Sequence, residues 1–350
     1  MKIPYSKTNT VLSDFELQEI KNIIESGKVA NGNFTEQLEN IVKEKTGVKH
    51  VVACNTCTSA LILGFRALKE LYSKEFQVPS ALLRKEIDLG EYNRRYKLNS
   101  VTVPAFTWYS SSYSVDCNFD IDNKEFCDID KDTWLVNFQD ARYTSDILLA
   151  VDTFGNEFLP TEDDKKNSKF IVIDAAHGWN LPNLGHRGIF ECVSLSFSKI
   201  TPAGQGGLIL TENDDIASVC KELETTYAKI PEIHCVVALN SIRNFEDNQK
   251  RRLDIINKYW ELLEVECTGQ KVGNTNWSVF GILLENKEIR NKIYNNLKNN
   301  GVETKIYYTP LANGYKNTND IYSRILCLPV YPLLKDEEVE FICNIINESI

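Results

Sequence analysis

The sequence predicts an α/β protein: a large domain with a mostly parallel sheet sandwiched by helices, then a smaller C-terminal α+β domain. Two observations predict the large domain. Apolar runs of strand length recur at 51–54, 101–104, 147–152, 170–174, 192–196 and 208–211, and amphipathic stretches separate several of them. Strands alternating with helices form βαβ units, which assemble into parallel sheets. A third observation sets the boundary. Beyond residue 235 long helical faces dominate, so the domains are read as 1–235 and 236–350. A chain of 350 residues suits one large and one smaller core.

The elements follow in order. Ser13-Asp14-Phe15-Glu16 has capping-box spacing and opens a helix expected to turn Leu17, Ile20 and Ile24 inward, with Gly27 ending it. A second amphipathic helix is expected over 34–42. Strand 51–54 feeds a helix over 58–71 with Ala60, Leu61, Ala67 and Leu68 among its apolar positions. Residues 72–98 lack periodicity and read as a surface insertion carrying a short helix at 81–87. In the C-terminal part Cys235, Leu239 and Ile242, then Leu253, Ile256, Trp260 and Leu263, mark helical faces. A helix near 287–299, a strand over 304–308 and a final helix from Lys335 complete the reading.

Composition narrows the function. The net charge of −10 argues against a nucleic-acid partner, because phosphate-backbone binding needs a basic face. The N-terminal residues carry no apolar signal-peptide core, and no run is long enough to span a bilayer. The ten cysteines are scattered rather than spaced as a disulfide framework, so reduced thiols in a cytoplasm are expected. Cys54-Asn55-Thr56-Cys57 has no second pair for zinc and sits at a strand-to-helix turn, so no metal site is expected.

Candidate chemistry centres on residues 194–207, where Lys199 lies between a hydroxyl-rich turn and a glycine-rich one. Small neighbours let such a lysine approach a flat cofactor closely. If Lys199 forms a Schiff base with pyridoxal phosphate, the chain must also supply an acid for the pyridine nitrogen, an aromatic for the ring and an anion site for the phosphate. Asp174, at the end of the run 170–174, is a carboxylate that needs a cation and suits the pyridinium; helix capping is the alternative. His177 could bond near the cofactor's phenolic oxygen or be a structural turn histidine. Trp108 is read as the stacking platform, with a plain core role as its rival. Thr58 and Ser59 open a helix whose free N–H groups favour a phosphate, and Ser194 adds a hydroxyl.

These residues stand in motifs that resemble the DegT/DnrJ/StrS family of pyridoxal-phosphate-dependent nucleotide-sugar aminotransferases. Ile3-Pro4 and the turn at 26–32 resemble its opening. Cys57-Thr58-Ser59-Ala60-Leu61 is similar to its G-T-x-A-L helix start, with cysteine for glycine. Residues 103–108 resemble V-P-x-x-T-[FW], 127–130 the D-I-D segment, and 173–177 E-D-A-A-[QH]. Residues 194–207 align with S-F-x-x-x-K-x-x-x-x-G-E-G-G, and 328–332 resemble L-P-x-[YF]-P. Phe197 lies two positions late, Gln205 replaces an acid, and 227–234 is shorter than the loop by which relatives reach a neighbouring subunit's cofactor.

The resemblance implies fold type I, a Schiff-base role for Lys199, and transamination from an amino acid, L-glutamate by family habit, to a nucleotide-linked keto-deoxy sugar. The product would be an amino sugar for a surface glycan or glycosylated metabolite. It also implies a homodimer with the active site at the interface, and puts Tyr308 near the substrate, although strand packing explains Tyr307 and Tyr308 too. A sugar dehydratase of the same family and a non-catalytic pyridoxal-phosphate-binding regulatory homologue remain alternatives.

Overall fold

The computed structural model describes residues 2–8, 12–72, 98, 100–120, 124–138 and 145–350, so the expected helix at 81–87 lies outside the described residues. The large sheet contains β1 (His50–Cys54), β2 (Val101–Pro104), β3 (Lys124–Cys127), β4 (Ile147–Val151), β5 (Phe170–Asp174), β6 (Phe190–Ser194) and β7 (Gly207–Thr211). Their spatial order is β1-β7-β6-β5-β4-β2-β3. Only β7 runs against the rest, pairing antiparallel with β1 and β6. A second, antiparallel sheet has the order β10-β9-β8, from β8 (Cys267–Gly269), β9 (Phe280–Leu284) and β10 (Ile325–Leu328).

Period-two alternation builds two cores from one sheet. Val51, Ala53, Leu148, Ala150, Ile171 and Ile173 face one side, while Val52, Cys54, Ile147, Leu149 and Val172 face the other. The helices are α1 (Asp14–Ser26), α2 (Asn33–Thr46), α3 (Cys57–Tyr72), α4 (Tyr109–Asp116), α5 (Glu162–Asn167), α6 (Asp214–Tyr227) and α7 (Glu232–Arg243). After them come α8 (Phe245–Leu262), α9 (Lys287–Asn299), α10 (Lys316–Arg324) and α11 (Asp336–Asn347). Helices α2 and α7 cover the first face, and α3 and α6 the second. A third core joins α8, α9 and α11 to the small sheet and includes Ile3, which bridges to Val302. No helix among the described residues is long and apolar enough to cross a membrane.

Several expectations need correction. Leu17 and Ile24 are 52% and 60% exposed, and α1 instead buries Glu16 and Ile23. The Glu16 carboxylate accepts the Ser13 amide at 2.8 Å and Asn240 of α7 at 3.2 Å, and these bonds turn the helix. Helix α8 likewise buries Arg252, Ile255, Ile256 and Tyr259, leaving Leu253 and Trp260 at 38% exposure. The Tyr259 hydroxyl and the Arg252 guanidinium both donate to the 329–330 carbonyls, drawing that face inward. Residues 304–308 form no strand, only a single bridge from Lys305 to Cys327. Strand β6 starts two residues before the expected 192. Strand β3 lies at the sheet edge, and its polar start at Lys124 and Glu125 hides its character. Residues Cys235 to Phe245 pack in the core beneath the large sheet, and the third core takes over from Ile255.

Candidate active site

The carboxyl ends of β5 and β6, the start of α3 and the junction with the small sheet enclose a cavity of about 570 Å³. Open α/β sheets place ligands at this position, where strand ends and helix starts leave polar groups unspent. Gly207 makes the approach possible. A Cβ there would stand 2.4 Å from the Cys57 amide nitrogen, so any larger residue would push β7 and the start of α3 apart.

Lys199 and His177 meet in this cavity. Lys199 Nζ lies 2.8 Å from His177 Nε2, and His177 Nδ1 lies 2.7 Å from the Ser278 hydroxyl. The Tyr308 hydroxyl is 3.3 Å from the same Nε2. Burial pushes the Lys199 amine down to about 8, opposed in part by Cys57 and Asp174. Burial also holds the His177 pKa well below its usual value, with the Lys199 and Arg252 charges adding to the effect. A neutral imidazole can accept from Lys199 at Nε2 while its Nδ1–H donates to Ser278.

Asp174 is 4% exposed. Its Oδ2 accepts from the Ser111 hydroxyl at 2.5 Å and its Oδ1 from the Ala176 amide at 3.0 Å. Burial raises its pKa against those bonds and the Lys199 charge. No cation among the described residues forms an ion pair with it, so a buried carboxylate faces the cavity short of positive charge.

At the other end, Thr58, Ser194 and the start of α3 line the cavity. Helix-start amides have no carbonyl partner within their own helix, and the macrodipole favours an anion there. The Thr58 hydroxyl donates to Ser110 at 3.0 Å. Ser59 departs from the expectation. Its amide and hydroxyl both engage Thr56 Oγ1, at 2.9 and 2.8 Å, and Thr56 rather than Ser59 lines the cavity. The reason is local: Thr56 precedes the first helical residue and caps the helix. Trp108 is 58% exposed at the cavity wall, its indole meeting Tyr307 and Tyr308 edge-on.

Sequence reasoning missed Thr56, Ser111, Ser278 and Arg252. Ser111 and Thr56 lie within four residues of positions already singled out, so local capping patterns could have found them. Ser278 and Arg252 carry no such signal, because only the packing of the small sheet and α8 brings them to the cavity.

A lysine with a lowered pKa, a buried carboxylate without a cation and an open helix start around one cavity are the donor set of a pyridoxal phosphate enzyme. The residues present fit that group: its pyridinium would meet a buried carboxylate that has no cation, and its phosphate a helix start with hydroxyls beside it. Comparison with known proteins agrees. Residues 11–81 and 93–347 match the DegT/DnrJ/EryC1/StrS aminotransferase family, and the chain belongs to it. It is thus a member of a family of pyridoxal-phosphate-dependent transferases, and its cofactor is pyridoxal phosphate.

The chain is 22% identical to the 3-oxo-glucose-6-phosphate:glutamate aminotransferase of Bacillus subtilis, covering 100% of this chain and 85% of that one. It is 22% identical to GDP-perosamine synthase of Escherichia coli O157:H7, covering 96% of each. Its fold matches the crystal structure of E. coli GDP-4-keto-6-deoxy-D-mannose-3-dehydratase with bound hydrated PLP. The TM-score is 0.77 at 16% identity, over 99% of both chains.

Proposed function

We propose that this protein moves the amino group of L-glutamate to a keto-deoxy sugar carried on a nucleoside diphosphate, making an amino sugar. The observation that carries the reading is the Lys199 amine, beside His177 and facing the same cavity as Asp174, in a chain of an aminotransferase family. The relative that works with glutamate supports the donor, and the perosamine synthase supports a nucleotide-linked acceptor.

Bound pyridoxal phosphate supplies an aldehyde that takes up amines and a ring that accepts electrons. The chain's residues do the rest. Asp174 sets a negative charge where the ring nitrogen would lie. Thr58, Ser194 and the α3 start would hold the phosphate, and Trp108 would stack on the ring. Lys199 Nζ takes the proton from the donor's α-carbon and later returns one, which an amine near 8 can do at working pH. His177 keeps that amine in place and stays neutral, so it adds no competing charge. Tyr308 faces the substrate from the small-sheet side. The assembly proposed with this reading is a homodimer in the cytoplasm, and sedimentation of the purified protein measures its mass.

The test is the absorbance spectrum of the cofactor-loaded protein before and after L-glutamate, with Lys199→Ala alongside. The cofactor band should shift with glutamate in the natural protein and stay unchanged in the variant. A band that ignores glutamate in both would overturn the donor and leave a non-catalytic homologue in view. A panel of keto sugars, on nucleotides and as 6-phosphates, then identifies the acceptor. Nitrogen in the product means transamination, and a nitrogen-free deoxy sugar means dehydration.

A further inference from the structure

Arg252 stands at the cavity wall on α8, 7% exposed, with its Nη1 donating to the Val330 carbonyl at 2.6 Å. Its other N–H groups meet no acceptor among the described residues, and no carboxylate pairs with it. The neighbouring Arg251 shows the usual fate of such a side chain, pairing with Asp336 at 2.7 Å on the surface. Arg290, likewise buried without a carboxylate, spends its N–H groups on Asn291 and on the Tyr322 and Ile325 carbonyls and lies off the cavity. Arg252 has only the Val330 carbonyl, and a guanidinium removed from water with its remaining N–H groups unmet is costly unless a ligand completes them. Burial lowers its pKa to about 10, with Tyr5 opposing. It lines the same cavity as Lys199 and His177, and its charge adds to the lowering of the His177 pKa.

We infer that Arg252 is the receptor for a carboxylate of the amino-acid donor, positioning the donor's amine beside Lys199. This rests on the aminotransferase reading above. The Val330 carbonyl pins one nitrogen and leaves the rest of the planar fork for two parallel N–H···O bonds, the geometry that recognises a carboxylate. A donor's carboxylate sits one bond from the carbon that reacts, which suits a group on the wall of the cavity that holds Lys199. The phosphates of a nucleotide sugar lie several bonds from the ketone, and Lys7 and Lys305, exposed on the same cavity, offer them positive charge.

The experiment compares the natural protein with Arg252→Gln and Arg252→Lys, all loaded with cofactor. L-glutamate is titrated by absorbance, and glutarate, a dicarboxylate that cannot react, is titrated by calorimetry. Arg252→Gln should raise half-saturation for both on the order of 10- to 100-fold, the worth of hydrogen bonds between charged groups. Arg252→Lys should recover part of the loss, since an ammonium keeps the charge without the fork. Cofactor loading and unfolding temperature, measured on the same samples, show that the variants are folded. Unchanged glutamate and glutarate binding in Arg252→Gln would overturn the inference, and so would a loss confined to the keto-sugar acceptor or to inorganic phosphate. Natural protein that ignores glutamate but binds glutarate through Arg252 would sink the donor reading and leave the carboxylate site standing. No glutarate binding by the natural protein would sink the site itself.

Discussion

Among the described residues Arg290, Arg252 and Arg187 are more than nine-tenths buried, at 4%, 7% and 9% exposure. Arg290 spends its N–H groups on Asn291 and on the Tyr322 and Ile325 carbonyls, whereas the surroundings of Arg187 and Arg252 are opposite. Arg187 lies under the carboxyl end of the large sheet. It grips Asp152 with both terminal nitrogens, at 2.7 and 2.9 Å, and reaches Glu191 at 2.5 Å. Burial alone would lower its pKa, but the two carboxylates outweigh that and hold it above the usual value. Arg252 has one backbone carbonyl and a lowered pKa. The first arginine is complete within the chain and serves the fold. The second is incomplete, and what it lacks describes its ligand. Burial by itself does not separate a structural charge from a functional one; the presence of partners does.

The comparison can be broken most forcefully at Arg187. Arg187→Met strands two buried carboxylates and should cost about 3–5 kcal/mol in denaturant unfolding, the penalty for breaking a buried pair from one side. Arg252→Met strands no carboxylate, so the ligand-free protein should lose no more than about 1 kcal/mol, the worth of the bond to Val330. Equal losses at the two positions would erase the distinction.

A pH measurement sharpens it from another side. Lys199 has a folded value of about 8 against an ordinary 10.5. Between those values the unfolded chain holds a proton that the folded protein has lost, so folding stability of the cofactor-free protein rises with pH. The Lys199→Met variant should lose this rise, and a matching slope in both proteins would show that the amine titrates normally. Capture of pyridoxal phosphate by the cofactor-free protein should likewise reach its half-maximal rate near pH 8. A similarly small effect is expected from Glu191→Gln, which keeps the contact shape and leaves Arg187 paired to Asp152. It should cost on the order of 1 kcal/mol, the scale of one altered hydrogen bond.

Much of the fold was legible because its signals are local. Strand-length apolar runs marked β1, β2, β4, β5 and β7 within a residue, since alternate side chains must fill two cores. The edge strand β3 was missed, because half-exposed polar residues carry no such run. Helices α1, α2, α3, α7, α8, α9 and α11 were anticipated and α5, α6 and α10 were not, and the rotation of α1 was misread. Leu17 and Ile24 of α1 point outward because a carboxylate, Glu16, is tied to Ser13 and Asn240, and hydropathy alone reads a buried Glu as solvent-facing.

The sequence by itself determined the alternation of strands and helices, the strand-end carboxylate Asp174 and the loop lysine Lys199, along with the helix start at Thr58. Each is written in neighbouring residues. Tertiary structure alone decided that Ser278 meets His177 across 101 positions of chain, and that Arg252 turns inward while Arg251 turns out. Those outcomes depend on which surfaces pack together. The free energy of a charge or a hydrogen bond is set by the partners and water around it, and no local pattern in the chain encodes who those partners are.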